Sequence, residues 1–240
     1  MTTTEQLKLL LRAAASQPGR AGAFLGAFLD APVYALAPMS DDNPRIRLFM
    51  YKRPDDGIYF VPLFTDEGKA TAAAMAELRI LSGTGRLWLQ ASAGAIVVVN
   101  PNDEHCTLYP EEIGHLLATG HVADLDREVL SEDRQVWIRD PESPPTWLID
   151  SLRALYATLP FVDVARLFEM GTDRELSNGV LTVAVKTKEV DSERATRATI
   201  TVIQPLCRQR ALALDVVSVT SETLNSPFAE RGILIYASPS

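Results

Sequence analysis

The chain has 240 residues, 47% of them hydrophobic and 22% charged, with a formal net charge of −8. This is the composition of a soluble globular protein with room for one large domain or two of ordinary size. The negative charge excludes nucleic acid and anionic membrane as main partners, because both attract a basic surface.

The first 51 residues predict two helices followed by two strands. Thr2-x-x-Glu5 has the pattern of a capping box, and leucines follow it at helical spacing. A second helical pattern carries Phe24, Leu25, Phe28 and Leu29. Strands are predicted over Val33–Ala37 and Ile46–Tyr51, on either side of the turn cluster Asp41–Pro44.

The next stretch predicts a hairpin and then an alternation of helices and strands. The turn signal Pro54–Gly57 predicts that the strands on either side of it pair with each other. Thr65 precedes an alanine-rich stretch and is expected to cap a helix running to Leu81. Strands are predicted over Leu87–Ala91 and Ala95–Val99, the second one apolar throughout and therefore central. A helix is expected to begin at Tyr109-Pro110.

The charged segment Asp124–Arg134 lacks an apolar face and is interpreted as a linker between domains at 1–125 and 134–240. The second domain shows the order strand, helix, strand, strand, helix, strand, strand, which indicates a sheet with helices on one face. Its second helix contains Pro205, which is expected to kink or end it. The sequence therefore predicts an α+β fold with two α/β sandwich-like domains, each a mixed sheet covered by helices.

Three phrases resemble a known family. They are Val61–Gly68, the strand Ala95–Val99 with Asn100-Pro101 and the helix that follows it, and, more weakly, Pro144–Leu148. With these phrases the chain resembles, over nearly its whole length, the SseB family, the enhanced-serine-sensitivity proteins of bacteria. The resemblance implies N-terminal and C-terminal SseB-type domains, and it implies no reaction or cofactor. The label is shared with a secretion translocon protein, but the sequence has no long coiled-coil segment to support that role.

The cysteines and histidines do not show the sequence pattern of a catalytic or metal site. Cys106 follows His105, but adjacent residues on a strand point to opposite faces, so the histidine is poorly placed to activate the thiol. The histidines at 105, 115 and 121 lack the spacing of a zinc site. Catalytic residues, a metal and a cofactor are therefore not expected. Two widely separated cysteines predict reduced thiols in the cytoplasm, and no apolar run reaches the ~20 residues of a membrane span.

The best candidates for a binding site follow two apolar strands, because loops at strand ends are common binding positions. They are Phe64, Thr65, Asp66, Asn100 and Pro101. The competing interpretation gives Thr65 and Asp66 to a helix cap and Asn100-Pro101 to a turn.

These observations predict a non-catalytic cytoplasmic protein that binds a protein partner or a second copy of itself. One alternative is a regulatory protein that binds a small polar metabolite such as an amino acid, and another is a cysteine-dependent enzyme that uses Cys106. Apolar strands at 180–185 and 212–219, with a terminal strand Ile233–Tyr236 at a sheet edge, predict a homodimer to which the C-terminal domain contributes.

Overall fold

A computed structural model describes residues 3–16, 20–39, 46–92, 94–123, 135–220 and 231–239. The chain divides into two compact units, Met1–Arg127 and Glu128–Ser240. Each unit contains a mixed sheet with helices packed against it, so the predicted α+β fold with two domains is confirmed. The turn predicted at Asp41–Pro44 and the linker predicted at Asp124–Arg134 lie outside the described residues.

The first unit contains five helices and six strands among its described residues. The helices are α1 (Thr4–Ser16), α2 (Ala21–Asp30), α3 (Glu67–Ala73), α4 (Gly85–Ala91) and α5 (Pro110–Thr119). The strands are β1 (Pro32–Pro38), β2 (Tyr51–Lys52), β3 (Tyr59–Phe64), β4 (Leu78–Thr84), β5 (Ile96–Val99) and β6 (Cys106–Leu108). The strand order is β4-β1-β3-β5-β6, with β2 beside β3. β3 and β5 are parallel, and the other pairs are antiparallel.

The main core of this unit lies between one face of the sheet and helices α1, α2, α4 and α5. The phenylalanines of α2 are fully buried there, as their helical spacing predicts. On the other face a smaller cluster centres on Leu36, Phe64 and Ala70 of α3. The ladder between β1 and β3 stops opposite Pro62, which has no N–H to donate. Beside it, the Phe49 N–H donates to the Leu36 carbonyl at 2.8 Å.

The second unit confirms the predicted order of elements. Its elements are β7 (Trp137–Arg139), α6 (Thr146–Tyr156), β8 (Val162–Gly171), β9 (Val180–Thr187), α7 (Glu189–Gln209), β10 (Leu214–Thr220) and β11 (Ile233–Ala237). The strand order is β10-β9-β8-β11, with β7 also paired to β8, and only the β9–β10 pair of this set is parallel. Both helices pack on one core, in which Tyr156 is fully buried. The terminal strand β11 lies at an edge of the described sheet, as predicted.

Two predictions in the first unit are wrong. The helix predicted to run to Leu81 ends at Ala73, and β4 forms a ladder of seven residue pairs with β1. The alanine run offers little apolar surface to a core, and helices in proteins depend mostly on such packing. The strand predicted over Leu87–Ala91 is helix α4, capped by the Thr84 hydroxyl at 3.2 Å from the Leu87 nitrogen. Its buried residues Gly85, Trp88 and Leu89 have helical spacing.

Two smaller differences concern one predicted strand and one predicted helix. In the predicted strand Ile46–Tyr51, only Tyr51 lies in a regular strand, β2. Helix α7 continues through Pro205 to Gln209, although a proline costs about 3 kcal/mol inside a helix. Ile203 and Cys207 on either side of the proline are buried in the core, so packing outweighs that local cost.

Candidate functional site

Two loops meet at one edge of the first sheet because β3 and β5 are parallel neighbours whose carboxyl ends lie together. Thr65 follows β3 directly, and Asn100 follows β5. The Asn100 N–H continues the ladder by donating to the Leu63 carbonyl at 2.8 Å. The structure therefore brings together the two halves of the predicted site.

Thr65 and Asn100 are fastened to each other. The Thr65 N–H donates to Asn100 Oδ1 at 3.0 Å, and Asn100 Nδ2 donates to Thr65 Oγ1 at 3.0 Å. Both residues are buried, with 0% and 1% exposure. Asn100 has a φ of +53°, in the left-handed region that asparagine tolerates better than most residues. We call this pair of residues the Thr65–Asn100 clasp.

Asp66 caps helix α3 in place of Thr65, because the threonine side chain is committed to the clasp. Asp66 Oδ1 accepts the Lys69 N–H at 2.9 Å. Asp66 Oδ2 is buried and lies 3.7 Å from Nζ of Lys8 on α1. The pKa of Lys8 is raised, mainly by its hydrogen bond to Glu5 and then by the charge of Asp66. The loop after β3 thus also forms an ion pair with α1.

A shallow depression of about 180 Å³ lies beside the clasp. Its lining residues are Phe64, Lys69, Ala72, Ala73, Asn100, Asn102 and Asp103. Of the five predicted residues, Phe64 and Asn100 form part of this lining, whereas Thr65, Asp66 and Pro101 do not. Thr65 contributes to the depression only through its hydrogen bonds to Asn100.

The rim of the depression carries opposite charges. Lys69 Nζ donates to Asp103 Oδ2 at 2.7 Å, and this hydrogen bond is the main reason that the pKa of Asp103 is lowered. Asp103 is exposed and Lys69 is about one-third exposed, so both ions face solvent. Sequence reasoning missed these two residues and Asn102. The available signal was the continuation of the Asn100-Pro101 turn into two further polar residues.

The cysteines and histidines are not brought into a catalytic arrangement in the described part of the chain. Cys106 is half-buried in β6, with its sulfur 3.9 Å from the Thr107 carbonyl, and His105 is exposed. Cys207 is buried, and burial raises the pKa of its thiol. Within the described ranges, no group of three or more histidine, cysteine or acidic residues is placed to hold a metal ion. No described helix is long and apolar enough to cross a membrane.

Comparison with known proteins gives two matches to family models. The model described as SseB protein N-terminal domain matches residues 7–115, and the model described as SseB protein C-terminal domain matches residues 130–230. No curated protein and no solved structure matches the chain.

Proposed function

This chain belongs to the SseB family, and we propose that it is a non-catalytic cytoplasmic binding protein. In this proposal its N-terminal domain holds a protein partner at the loops after β3 and β5. The observation that carries the proposal is the Thr65–Asn100 clasp. The clasp uses the buried polar groups of both loops to fix the backbone, and it leaves the ions of the rim facing solvent.

Two loops fixed by the clasp, with charged residues at the rim of the depression, suit binding of a partner better than catalysis by proton transfer. Thr65 and Asn100 are engaged with each other, so neither is presented to a substrate. Lys69 and Asp103 are solvent-facing ions, and charges at the rim of an interface give specificity and fast association. Preformed loops also reduce the entropy that is lost when a partner binds.

The test is quantitative affinity capture from native cytoplasm with the full chain. The informative variant exchanges the two rim charges, Lys69→Asp with Asp103→Lys. It keeps the net charge and the internal ion pair, and an exposed pair contributes only about 0–1 kcal/mol to stability. A stoichiometric protein that wild type captures and the exchange variant loses supports the proposal. Equal capture by both chains, or no stoichiometric protein on wild type, contradicts it.

A second candidate function is the binding of a small polar metabolite such as an amino acid. The observation that favours it is the size and charge of the depression. At about 180 Å³ it is smaller than the roughly 300–1,000 Å³ of drug-sized ligand sites. Lys69 and Asp103 offer a cation to a carboxylate and an anion to an ammonium group, and the exposed Asn102 also lines the depression.

A thermal-shift screen over the amino acids tests this candidate. A ligand at 100 times its Kd stabilises the protein by about 2.7 kcal/mol, and the exchange variant loses that shift if the rim binds the ligand. No shift with any amino acid at millimolar concentration removes the candidate and leaves the protein-partner proposal standing.

We also propose self-association through the C-terminal domain. β11 lies at an edge of the described sheet, and Leu234 on this strand is 47% exposed. An apolar edge strand pairs readily with another chain, and two-fold dimers are the commonest soluble assembly. Sedimentation equilibrium at micromolar concentration should give twice the chain mass of 26.3 kDa. A constant monomer mass contradicts the dimer, and a dimer that persists after deletion of residues 134–240 places the interface elsewhere.

A further inference from the structure

The edge strand β4 of the first sheet has one side without a strand partner. Among the described residues its only paired neighbour is β1, through seven residue pairs. Arg79, Ser82 and Thr84 are exposed along it, and no described strand pairs with its second side. The backbone groups of an open edge bind an extended chain by adding a strand to the sheet.

One face of this edge presents an apolar strip. Alternation along the strand places Arg79, Leu81 and Gly83 on the same face. Leu87 of α4 lies over Gly83, since a Cβ on that glycine would be 2.9 Å from Leu87 Cδ2. Leu87 is 42% exposed and Leu81 is half-buried. Glycine at this position leaves room for the leucine and keeps the strip continuous.

An arginine lies near each end of the strip. Arg79 precedes it on β4, and Arg86 follows it in the first turn of α4. Gly83 lies four positions after Arg79, which in a strand corresponds to about 13 Å. The structure shows no ion pair or hydrogen bond for either guanidinium within the described residues. By contrast, Lys8, Arg12, Arg53 and Lys69 in the same unit all have carboxylate partners.

We propose that the β4 edge binds an extended segment of a partner protein with apolar residues at its centre and a carboxylate towards each end. The backbone of that segment pairs with β4. Its apolar side chains cover Leu81 and Leu87, and its two carboxylates meet the two arginines. Each charge then gains a partner that the described chain does not supply.

The charges disfavour a second copy of this chain as the occupant. Antiparallel self-pairing centred on Leu81 sets Arg79 opposite Gly83 of the second copy, close to Arg86 of that copy. Cations would then converge at both ends, and β4 itself contains no acidic residue. Like charges placed opposite each other destabilise a strand pair. The surface shares no residue with the depression beside the clasp, so it is a second and independent binding surface.

The experiment uses a labelled peptide, Glu-Thr-Val-Thr-Val-Thr-Glu, with blocked termini, and the full chain. Its acidic ends and central valines match the strip in either strand direction. Fluorescence anisotropy should show saturable binding that weakens with added salt. The double variant Arg79→Ala with Arg86→Ala should bind about tenfold more weakly, because the two ion pairs between these arginines and the peptide glutamates are lost. The matched control Lys52→Ala, which removes an exposed cation from β2, should bind as wild type does.

Further measurements separate this proposal from its competitors. Hydrogen exchange should slow at residues 78–84 when the peptide is bound, and the Lys69/Asp103 exchange variant should bind the peptide normally. A peptide with lysine in place of both glutamates should bind at least about tenfold more weakly. Equal binding of the two peptides, protection confined to another part of the chain, or a Kd above about 1 mM for the acidic peptide overturns the proposal.

Discussion

Removal of the Asn100 side chain should destabilise the N-terminal domain by two separable contributions. In Asn100→Ala the buried Thr65 N–H loses its acceptor at 3.0 Å, which costs about 1–3 kcal/mol. Alanine must also adopt the φ of +53°, which adds about 1 kcal/mol. The expected total is about 2–4 kcal/mol. Asn100→Gly loses the hydrogen bonds but adopts that φ freely, so it should be about 1 kcal/mol more stable than Asn100→Ala.

Urea unfolding of the full chain measures both contributions. Trp88 is buried in the first unit, and replacement of Trp137 and Trp147 by phenylalanine leaves it as the only tryptophan reporter. A double-mutant cycle with Thr65→Val should give a coupling energy of about 1 kcal/mol or more, because the two side chains are in direct contact. Equal stabilities of the alanine and glycine variants would refute the backbone contribution. Additive effects of the Thr65 and Asn100 changes would refute the clasp.

Three further predictions test other parts of the structure. Gly85→Ala should destabilise by more than about 2 kcal/mol, because its Cβ would lie 2.1 Å from the Phe28 carbonyl oxygen, whereas the matched control Gly114→Ala meets no atom within 4 Å and should stabilise α5 by about 0.5–1 kcal/mol in urea unfolding. Burial raises the pKa of Tyr156 in the folded protein. Above a pH of about 10, the pKa of an unfolded tyrosine, the unfolded chain therefore ionises at Tyr156 first, and the free energy of unfolding falls as the pH rises. Tyr156→Phe should therefore lose less stability between pH 9 and pH 11 than wild type, and parallel losses would contradict this. Alkylation of Cys106 at pH 7 should be no faster than that of a free thiol, and rapid labelling would favour the cysteine-enzyme alternative.

The elements that sequence predicted correctly are those with a strong local period or a strong turn signal. Helix α2 carries apolar residues at 24, 25, 28 and 29, and all four are buried. The Pro54–Gly57 turn joins β2 and β3 as an antiparallel pair. The element order of the second unit was predictable because each strand and helix there has its own apolar pattern. These signals need no knowledge of distant contacts.

The errors occur where contacts distant in sequence decide between two locally acceptable structures. The stretch from Thr71 to Ala76 has a high intrinsic helix propensity, yet the residues after it pair with β1, from Pro38↔Leu78 to Pro32↔Thr84, which are distant in the chain. Helix α4 is short, and its indole nitrogen at Trp88 donates to the Val33 carbonyl at 2.9 Å. That hydrogen bond stabilises a helix that the local sequence alone favours only weakly. In both segments, contacts with β1 therefore decide between strand and helix.

The candidate site shows the same division between local and distant information. Thr65 and Asp66 are both good capping residues, and local chemistry alone does not choose between them. The choice follows from the parallel pairing of β3 with β5, which brings Asn100 to Thr65 and leaves Asp66 to cap α3. The same pairing brings Asp103 to Lys69, so the charged rim exists only because the sheet aligns the two strand ends. A substitution that weakens the clasp should consequently reduce binding at the rim in a domain that is still folded. Thr65→Val keeps every rim residue, so it is the variant in which weaker binding by a folded domain can be measured.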